Sequence, residues 1–288
     1  MFLLAGTVLV AGCGKGGERT ETAKKTVITN GGSDTMVNLA QEWAEAYQKV
    51  APNVSVEVSG GGSGVGMRDM MQGIVNIANC SRDVDPKERE QILKNTGKEP
   101  KCHMVGHDAI AIYVHKDNPV VSLSTEQLAA IFGEGGAVDK WSQIGVDLGA
   151  GNDEIIRISR QNSSGTYLYF REHVLAKKDF KPGSRDMSGS KDVVELVART
   201  RGAIGYSGMG YATPGVRMVP LSGKTGEEPI APSVENVLSG KYPLARSLYM
   251  VTAGEPEGAV KAYLDWVHSA GQAIVEKAGY VPLTATER

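Results

Sequence analysis

The chain lacks a surplus of charge of either sign: 31 lysines and arginines face 33 aspartates and glutamates in 288 residues, a formal net charge of -2. A broad basic surface of the kind nucleic acid requires is therefore absent, and any recognition of an anion has to be local. Beyond the N-terminal segment no apolar run reaches the roughly 18 residues that a membrane-spanning helix needs. Metal-ligand spacing is missing as well. His103, His107 and His115 share strand parity, but no cysteine or carboxylate completes a zinc set. Gly223-Lys224-Thr225 is not a P-loop, because Met218 stands where the first glycine is required. Ser188-Gly189-Ser190-Lys191 and Lys224-Thr225-Gly226 match fragments of a serine acyl-enzyme signature. The S-D-N element between them is absent, and its nearest match, Ser33-Asp34-Thr35, precedes both. Ser190 reads better as the N-cap of a following helix. No ordered Ser/His/Asp set is present either, which argues against catalysis and for a protein without a cofactor.

What the chain has is glycine, 36 of 288 residues, well above the usual ~7%. Part of it falls in three similar stretches: Gly31 to Thr35 (GGSDT), Gly60 to Gly66 (GGGSGVG) and Arg160 to Thr166 (RQNSSGT). Each places small Gly, Ser or Thr residues directly before a segment with helical apolar spacing. The first N–H groups of a helix have no internal partner and carry a partial positive charge, so a helix start with small hydroxyl residues can seat an anion. Three such turns predict one oxyanion held from several sides.

The remaining pattern alternates strand and helix. Thr26 to Thr29 is β-branched, and Ala40, Trp43, Ala44 and Tyr47 then follow at helical spacing. Val54, Val56 and Val58 form a second strand, and Met67, Met70, Met71 and Ile74 a second helical face, read as core. Ile77 to Asn79 predicts a short buried strand. Asp85-Pro86 opens a helix that closes near Gly97. Val105 to His115 is a long strand-like run, and Ser124 with Gln127 forms a capping box. Ile155, Ile156 and Ile158 lead into the third glycine turn. Lys191 to Arg199, Ala203 to Tyr206, Leu248 to Thr252 and the Val260, Leu264, Val267 face continue the alternation, while Ser207 to Glu228 reads as a Gly/Pro-rich return. This is an α/β chain with mostly parallel sheets. The polar break at Lys116 to Pro119 predicts a boundary between two lobes, with lobe I over 25–114 plus 212–288, lobe II over 115–211, and crossing strands as the hinge. Ligands of open α/β sheets bind where strand passes to helix, so an anion shared between the lobes is the expected guest.

At the N-terminus, Phe2 to Ala11 is apolar and Val10-Ala11-Gly12 precedes Cys13, which resembles the lipobox of bacterial lipoproteins. Residues 1–13 then form a signal segment with Cys13 as the acylated residue, and 14–24 a flexible tether. An ordinary signal peptide or an incidental apolar start is the alternative. Cys80 and Cys102 remain, and in an exported compartment they either form a disulfide, contributing about 3 kcal/mol by loop closure, or stay two small buried hydrophobes.

Gly32-Ser33-Asp34-Thr35-Met36, Gly60 to Gly64, Ser81-Arg82 after a short apolar strand, and Arg160 followed by Ser164-Gly165-Thr166 resemble the phosphate-binding proteins of ABC-type phosphate importers. The likeness covers nearly all the chain after the tether and includes Ala203-Ile204-Gly205-Tyr206 and Tyr242-Pro243-Leu244. It implies the two-lobed, type II fold of the periplasmic-binding-protein superfamily. It also implies a phosphate held by Ser33, Thr35, Met36, Ser63, Ser81, Arg160, Ser164, Gly165 and Thr166, with Arg82 touching the ligand or locking the lobe interface. Many relatives carry an acid two residues after the arginine, where this chain has Asn162, counted among the phosphate-binding residues with a carbonyl that accepts but carries no charge; Asp34, ahead of Asp83, is the expected acceptor of the phosphate proton. Expected partners are inorganic phosphate, the permease subunits of an ABC transporter and, through the lipid anchor, a membrane. The protein would be an exported monomer, periplasmic or at the outer face of the cytoplasmic membrane. Sulfate, molybdate and phosphonate are alternative ligands, and a lipid-anchored sensing or adhesion protein is a further reading.

Overall fold

The computed structural model describes residues 25–149, 151 and 153–288. The proposed lipobox with Cys13 and the tether lie outside the described residues.

In chain order the elements are β1 (Thr26–Gly32), α1 (Val37–Val50), β2 (Val54–Ser59), α2 (Ser63–Met71), β3 (Ile77–Cys80), α3 (Pro86–Thr96) and β4 (Pro100–His115), then β5 (Leu123–Ser124) and α4 (Thr125–Phe132). They continue with β6 (Ile156–Arg160), α5 (Gly165–His173), β7 (Arg185–Met187), α6 (Ser190–Ala198), β8 (Ala203–Gly208), β9 (Val216–Val219), β10 (Leu221–Ser222), α7 (Val234–Leu238), β11 (Ala245–Ala253), α8 (Gly258–His268) and α9 (Gln272–Val275). Local signals set several boundaries as expected. Asp85 caps α3 through Lys87 N–H, Glu88 returns a bond to the Asp85 N–H, and Gly97 stops the helix in the left-handed region at φ 70°. Ser124 and Gln127 make the same reciprocal box at α4. At α6 the cap is Gly189 rather than Ser190: the Asp192 carboxylate takes the Gly189 N–H, and the Ser190 hydroxyl is bonded elsewhere.

Strands run in the order β2-β1-β3-β11-β4-β8-β6-β7, with β9 also on β4. Pairing is parallel within β2-β1-β3 and within β8-β6-β7, as repeated strand–helix units require, and antiparallel where β11 and β4 join the two groups. The long strand β4 belongs to both lobes. Pro100 to Ala109 pair with β11, and from Ile110 onward its partners are β8 and β9. One core gathers Ile28, Met36, Leu39, Trp43 and Ile77 under α1 and α8; another gathers Ile112, Phe132, Trp141, Phe170 and Tyr206. Trp43 and Trp141 are fully buried, each donating its indole N–H to a backbone carbonyl, of Gly271 and Gly202.

Two expectations need correcting. The segment from Ser207 to Glu228 contains β9 and β10, and Val219, Leu221, Val237, Tyr242 and Leu244 pack into the Trp141 core. Val219, Leu221 and Leu244 thereby share a core with Phe132 and Phe170. Nor do Cys80 and Cys102 form a disulfide, since both thiols are free. Cys80 pairs across to Tyr249 of β11, and Cys102 pairs to Val251 on the other side of the same strand. A whole strand between them sets their Cα atoms roughly 10 Å apart, beyond the reach of an S–S link. Alkylation of the chain in denaturant without reductant should label both the Cys80 and the Cys102 peptides; a mass corresponding to a linked pair would contradict the strand order.

Candidate functional site

The three glycine turns converge. At the end of β1, Gly32 takes φ 132°, and a Cβ there would lie 2.5 Å from the Asn79 carbonyl oxygen. The chain passes through Ser33 into a short 3-10 turn, Asp34–Met36, that feeds α1. After β2, Gly61 and Gly62 take φ 114° and 99°, and α2 starts at Ser63. Gly62 donates its N–H to the Gly32 carbonyl at 2.9 Å, tying the first turn to the second. After β6 comes the third turn. Ser164 caps α5 through the N–H groups of Thr166 and Tyr167, and Gly165 lies so close to the other lobe that a Cβ would stand 2.3 Å from Ser63 Oγ and 2.7 Å from Ser81 Oγ.

Hydroxyls and charges meet at this junction. Ser33 Oγ donates to Ser81 Oγ at 2.8 Å, Ser63 Oγ and Ser81 Oγ lie 3.3 Å apart, and Ser81 N–H donates to Ser63 Oγ at 3.1 Å. Thr35 Oγ1 and Thr166 Oγ1 are 2.8 Å apart across the lobes. Arg160, at the end of β6, sends Nη2 to Asp34 Oδ2 and to the Ser188 carbonyl, and Nη1 to Ser190 Oγ, each at 2.9 Å. Asp34 Oδ1 accepts the Gly61 N–H at 2.9 Å, so one carboxylate links two turns to the arginine of the opposite lobe. Burial draws the Arg160 guanidinium below its ordinary value, and the Asp34 charge opposes that shift. The turns also meet through the backbone, with Gly64 N–H donating to the Ser163 carbonyl and Ser163 Oγ to the Gly61 carbonyl.

Ser33, Asp34, Thr35, Ser63, Ser81, Arg160, Ser164, Gly165 and Thr166 are thus gathered at one place. Met36 is there by its backbone, but its N–H closes the turn onto the Ser33 carbonyl and its side chain enters the core. Arg82 is not gathered in. Its two terminal nitrogens are clamped on Glu88 at 2.8 Å, and Nη1 also reaches the Asp83 carbonyl. Asn162 is exposed in its turn, and Asp83 is exposed with Tyr249 as partner. The acyl-enzyme fragment makes no site, because Lys191 lies in solvent beside Glu195.

Sequence reasoning missed a second buried ion pair at the same junction. Arg246 of β11 and Asp108 of β4 stand directly opposite in the ladder, joined by Nε and Nη2 to Oδ2 at 3.1 and 2.7 Å. Burial raises the Asp108 carboxyl above its ordinary value, with Arg246 acting against that rise. Tyr211 and Tyr280 were also missed; their hydroxyls donate to the carbonyls of Asp34 and Thr35. Parity was the available signal, since Arg246 shares the buried face of Leu248 and Met250.

A donor set drawn from two lobes around a shared cleft defines the class as a two-lobed binding protein of type II. A family model described as a PBP superfamily domain matches residues 18–270. The phosphate-binding protein PstS of Pseudomonas aeruginosa is 35% identical over 90% of this chain and 83% of its own length. A PstS from Bacillus subtilis is 30% identical over 99% of this chain and 93% of its own. Among solved structures, one from Clostridium perfringens, described as a phosphate ABC transporter substrate-binding protein with bound phosphate, aligns with TM-score 0.80 and 28% identity over 90% of this chain and 100% of that one. The chain belongs to the PBP superfamily, in the family of the PstS phosphate-binding proteins.

Meeting of the lobes depends on Gly62, where a Cβ would lie 2.5 Å from the Ser163 carbonyl oxygen of the other lobe. A Gly62→Ala variant should fold but fail to bring the turns together. Small-angle scattering in excess phosphate should give a larger radius of gyration than for the unaltered chain; identical curves would refute this.

Proposed function

We propose that the chain is an extracytoplasmic solute-binding protein that captures inorganic phosphate between its lobes and delivers it to an ABC permease. The observation that carries this is the junction itself, where Thr35 and Thr166 pair across the lobes, Ser63 lies beside Ser81, and the buried Arg160 of one lobe is joined to Asp34 in the first turn of the other. A tetrahedral anion has oxygens pointing in every direction, so donors arriving from opposite sides suit it. Thr35, Ser63, Ser81 and Thr166 supply hydroxyl donors, the starts of α2 and α5 supply N–H groups, and Arg160 supplies charge. Each well-formed bond to a charged oxygen contributes about 1.5 to 3 kcal/mol net.

Asp34 is the one acid in the cluster of turns, and it serves as acceptor for the proton that phosphate retains near neutral pH. Sulfate has no such proton and would set a lone pair against the carboxylate. Asn162, exposed in its turn, takes no part, and Arg82 works through Glu88 as a brace at the start of α3. We divide the lobes at the strand exchange, with lobe I as 25–109 plus 245–288 and lobe II as 110–244. Cys13 carries a lipid that holds the chain outside the cytoplasmic membrane, and it acts as a monomer without catalysis. No helix among the described residues is long and apolar enough to cross a membrane.

Calorimetric titration with phosphate, sulfate and molybdate tests the reading. Phosphate should bind saturably, and sulfate weaker by at least roughly a hundredfold, because a site built to bond a hydroxyl rejects a ligand without one. Absence of phosphate heat would reject the function. In Asp34→Ala the gap between phosphate and sulfate should narrow, and an unchanged gap would remove Asp34 from its role.

A further inference from the structure

The geometry points to Arg246 as a positioning residue for phosphate capture, acting through the hydroxyl of Thr35 under the grip of Asp108. This rests on the phosphate reading above but concerns a residue that no glycine turn contains. Arg246 is 5% exposed and Asp108 is fully buried. Two of its nitrogens are spent on Asp108 Oδ2. Nη1 donates to the Ser81 carbonyl at 3.0 Å, and Nη2 also reaches Thr35 Oγ1 at 3.2 Å. Asp108 is itself held from the other side, accepting the Met209 N–H at 3.2 Å.

The consequence for Thr35 is a matter of hydrogen inventory. A threonine hydroxyl has one proton and two lone pairs. Arg246 has only protons to give, so it engages a lone pair of Thr35 and leaves the Thr35 proton to point elsewhere. The other oxygen in reach is Thr166 Oγ1 at 2.8 Å, in the opposite lobe. Thr35 thereby keeps its proton available for an acceptor in the cleft, and a cation one bond behind it polarises its O–H. Polarisation along such a chain strengthens the outermost bond. The positive charge need not touch the anion, and Asp108 neutralises it locally. The same guanidinium is anchored through Nη1 on the Ser81 carbonyl, which fixes the fork itself, while Thr35 is the donor that it positions. The ring of Tyr169 in α5 lies 5.9 Å from the guanidinium carbon, extending the contact to the second lobe.

A merely structural arginine would stabilise the fold and affect binding equally in any background; a positioning arginine loses its effect when the group it positions is gone. The test is a double-mutant cycle read by calorimetry with inorganic phosphate, using Arg246→Gln, Thr35→Val and both together. Arg246→Gln alone should weaken phosphate binding about ten- to hundredfold. In the Thr35→Val background the same change should cost less than about threefold, the coupling expected of partners in one network. Equal losses in both backgrounds, or no loss in the first, would overturn the assignment. Should Arg246→Gln fail to fold by circular dichroism, Arg246→Lys carries the same cycle. Its point charge cannot hold Asp108 and Thr35 together, so a loss that depends on Thr35 is again expected and an independent one refutes. Failure of the unaltered chain to bind phosphate would instead sink the functional reading, and needs no variant to be seen.

Discussion

Because a Cβ on Gly165 would come within 2.3 Å of Ser63 Oγ, the start of α5 can reach the other lobe only as glycine. Much of the site follows from that closeness. At such range the facing groups must be small, and they must also satisfy one another when water is excluded. Serine and threonine meet both demands, since each hydroxyl both donates and accepts. The same reasoning holds on the partner side, where Gly62 and Gly64 let α2 begin against the Ser163 carbonyl. Larger side chains there would hold the lobes apart and leave the helix starts facing water.

Charge is handled just as locally. Two guanidinium groups and two carboxylates, Arg160 with Asp34 and Arg246 with Asp108, sum to zero at the junction. Burying ion pairs costs desolvation, and their Coulomb attraction in the interior only partly offsets it. Such pairs are therefore poor devices for stability and better understood as devices for placement. Each fixes a flexible arginine fork where its remaining donors are needed: Arg160 between Asp34, Ser188 and Ser190, and Arg246 between Asp108, Ser81 and Thr35. The near-neutral composition of the whole chain agrees with this arrangement, because recognition depends on oriented neutral donors rather than on bulk potential.

Most of the candidate site could be read from the residues, because helix starts are local events. Glycine, hydroxyl and helical spacing lie within a few positions of one another, and each of the three turns took the form those residues required. What escaped notice depends on long-range pairing. Arg246 and Asp108 are 138 positions apart, and only the register of β4 against β11 sets them face to face. Arg82 follows Ser81, a place that suits either a ligand group or a partner for a carboxylate, and Glu88, six positions on and at the first turn of α3, takes both its terminal nitrogens. The strands β9 and β10 were hidden in a stretch rich in Gly and Pro, where turn residues outweighed the β-branched signal of Val216 and Val219. Cys80 and Cys102 were plausible partners by compartment alone, and strand order, which composition does not carry, separated them.

The position of the Arg246–Asp108 pair in the sheet bears on how closure is transmitted. Strand β4 pairs with β11 up to Ala109 and exchanges to β8 at Ile110, so Asp108 lies just before the point where one lobe's ladder gives way to the other's. Lobe motions of this kind are absorbed at a few residues where elements cross, and groups near that axis are displaced least. A pair seated there can hold Ser81 and Thr35 in register whatever the angle between the lobes. Arg160, Gly165 and Thr166 are carried by β6 and α5 on the other side of the exchange, so the groups that meet at the junction are divided between the two ladders. Glycine serves the same junction: two of the tight approaches, at Gly62 and Gly165, are contacts between the lobes, where a larger side chain would keep the two surfaces apart.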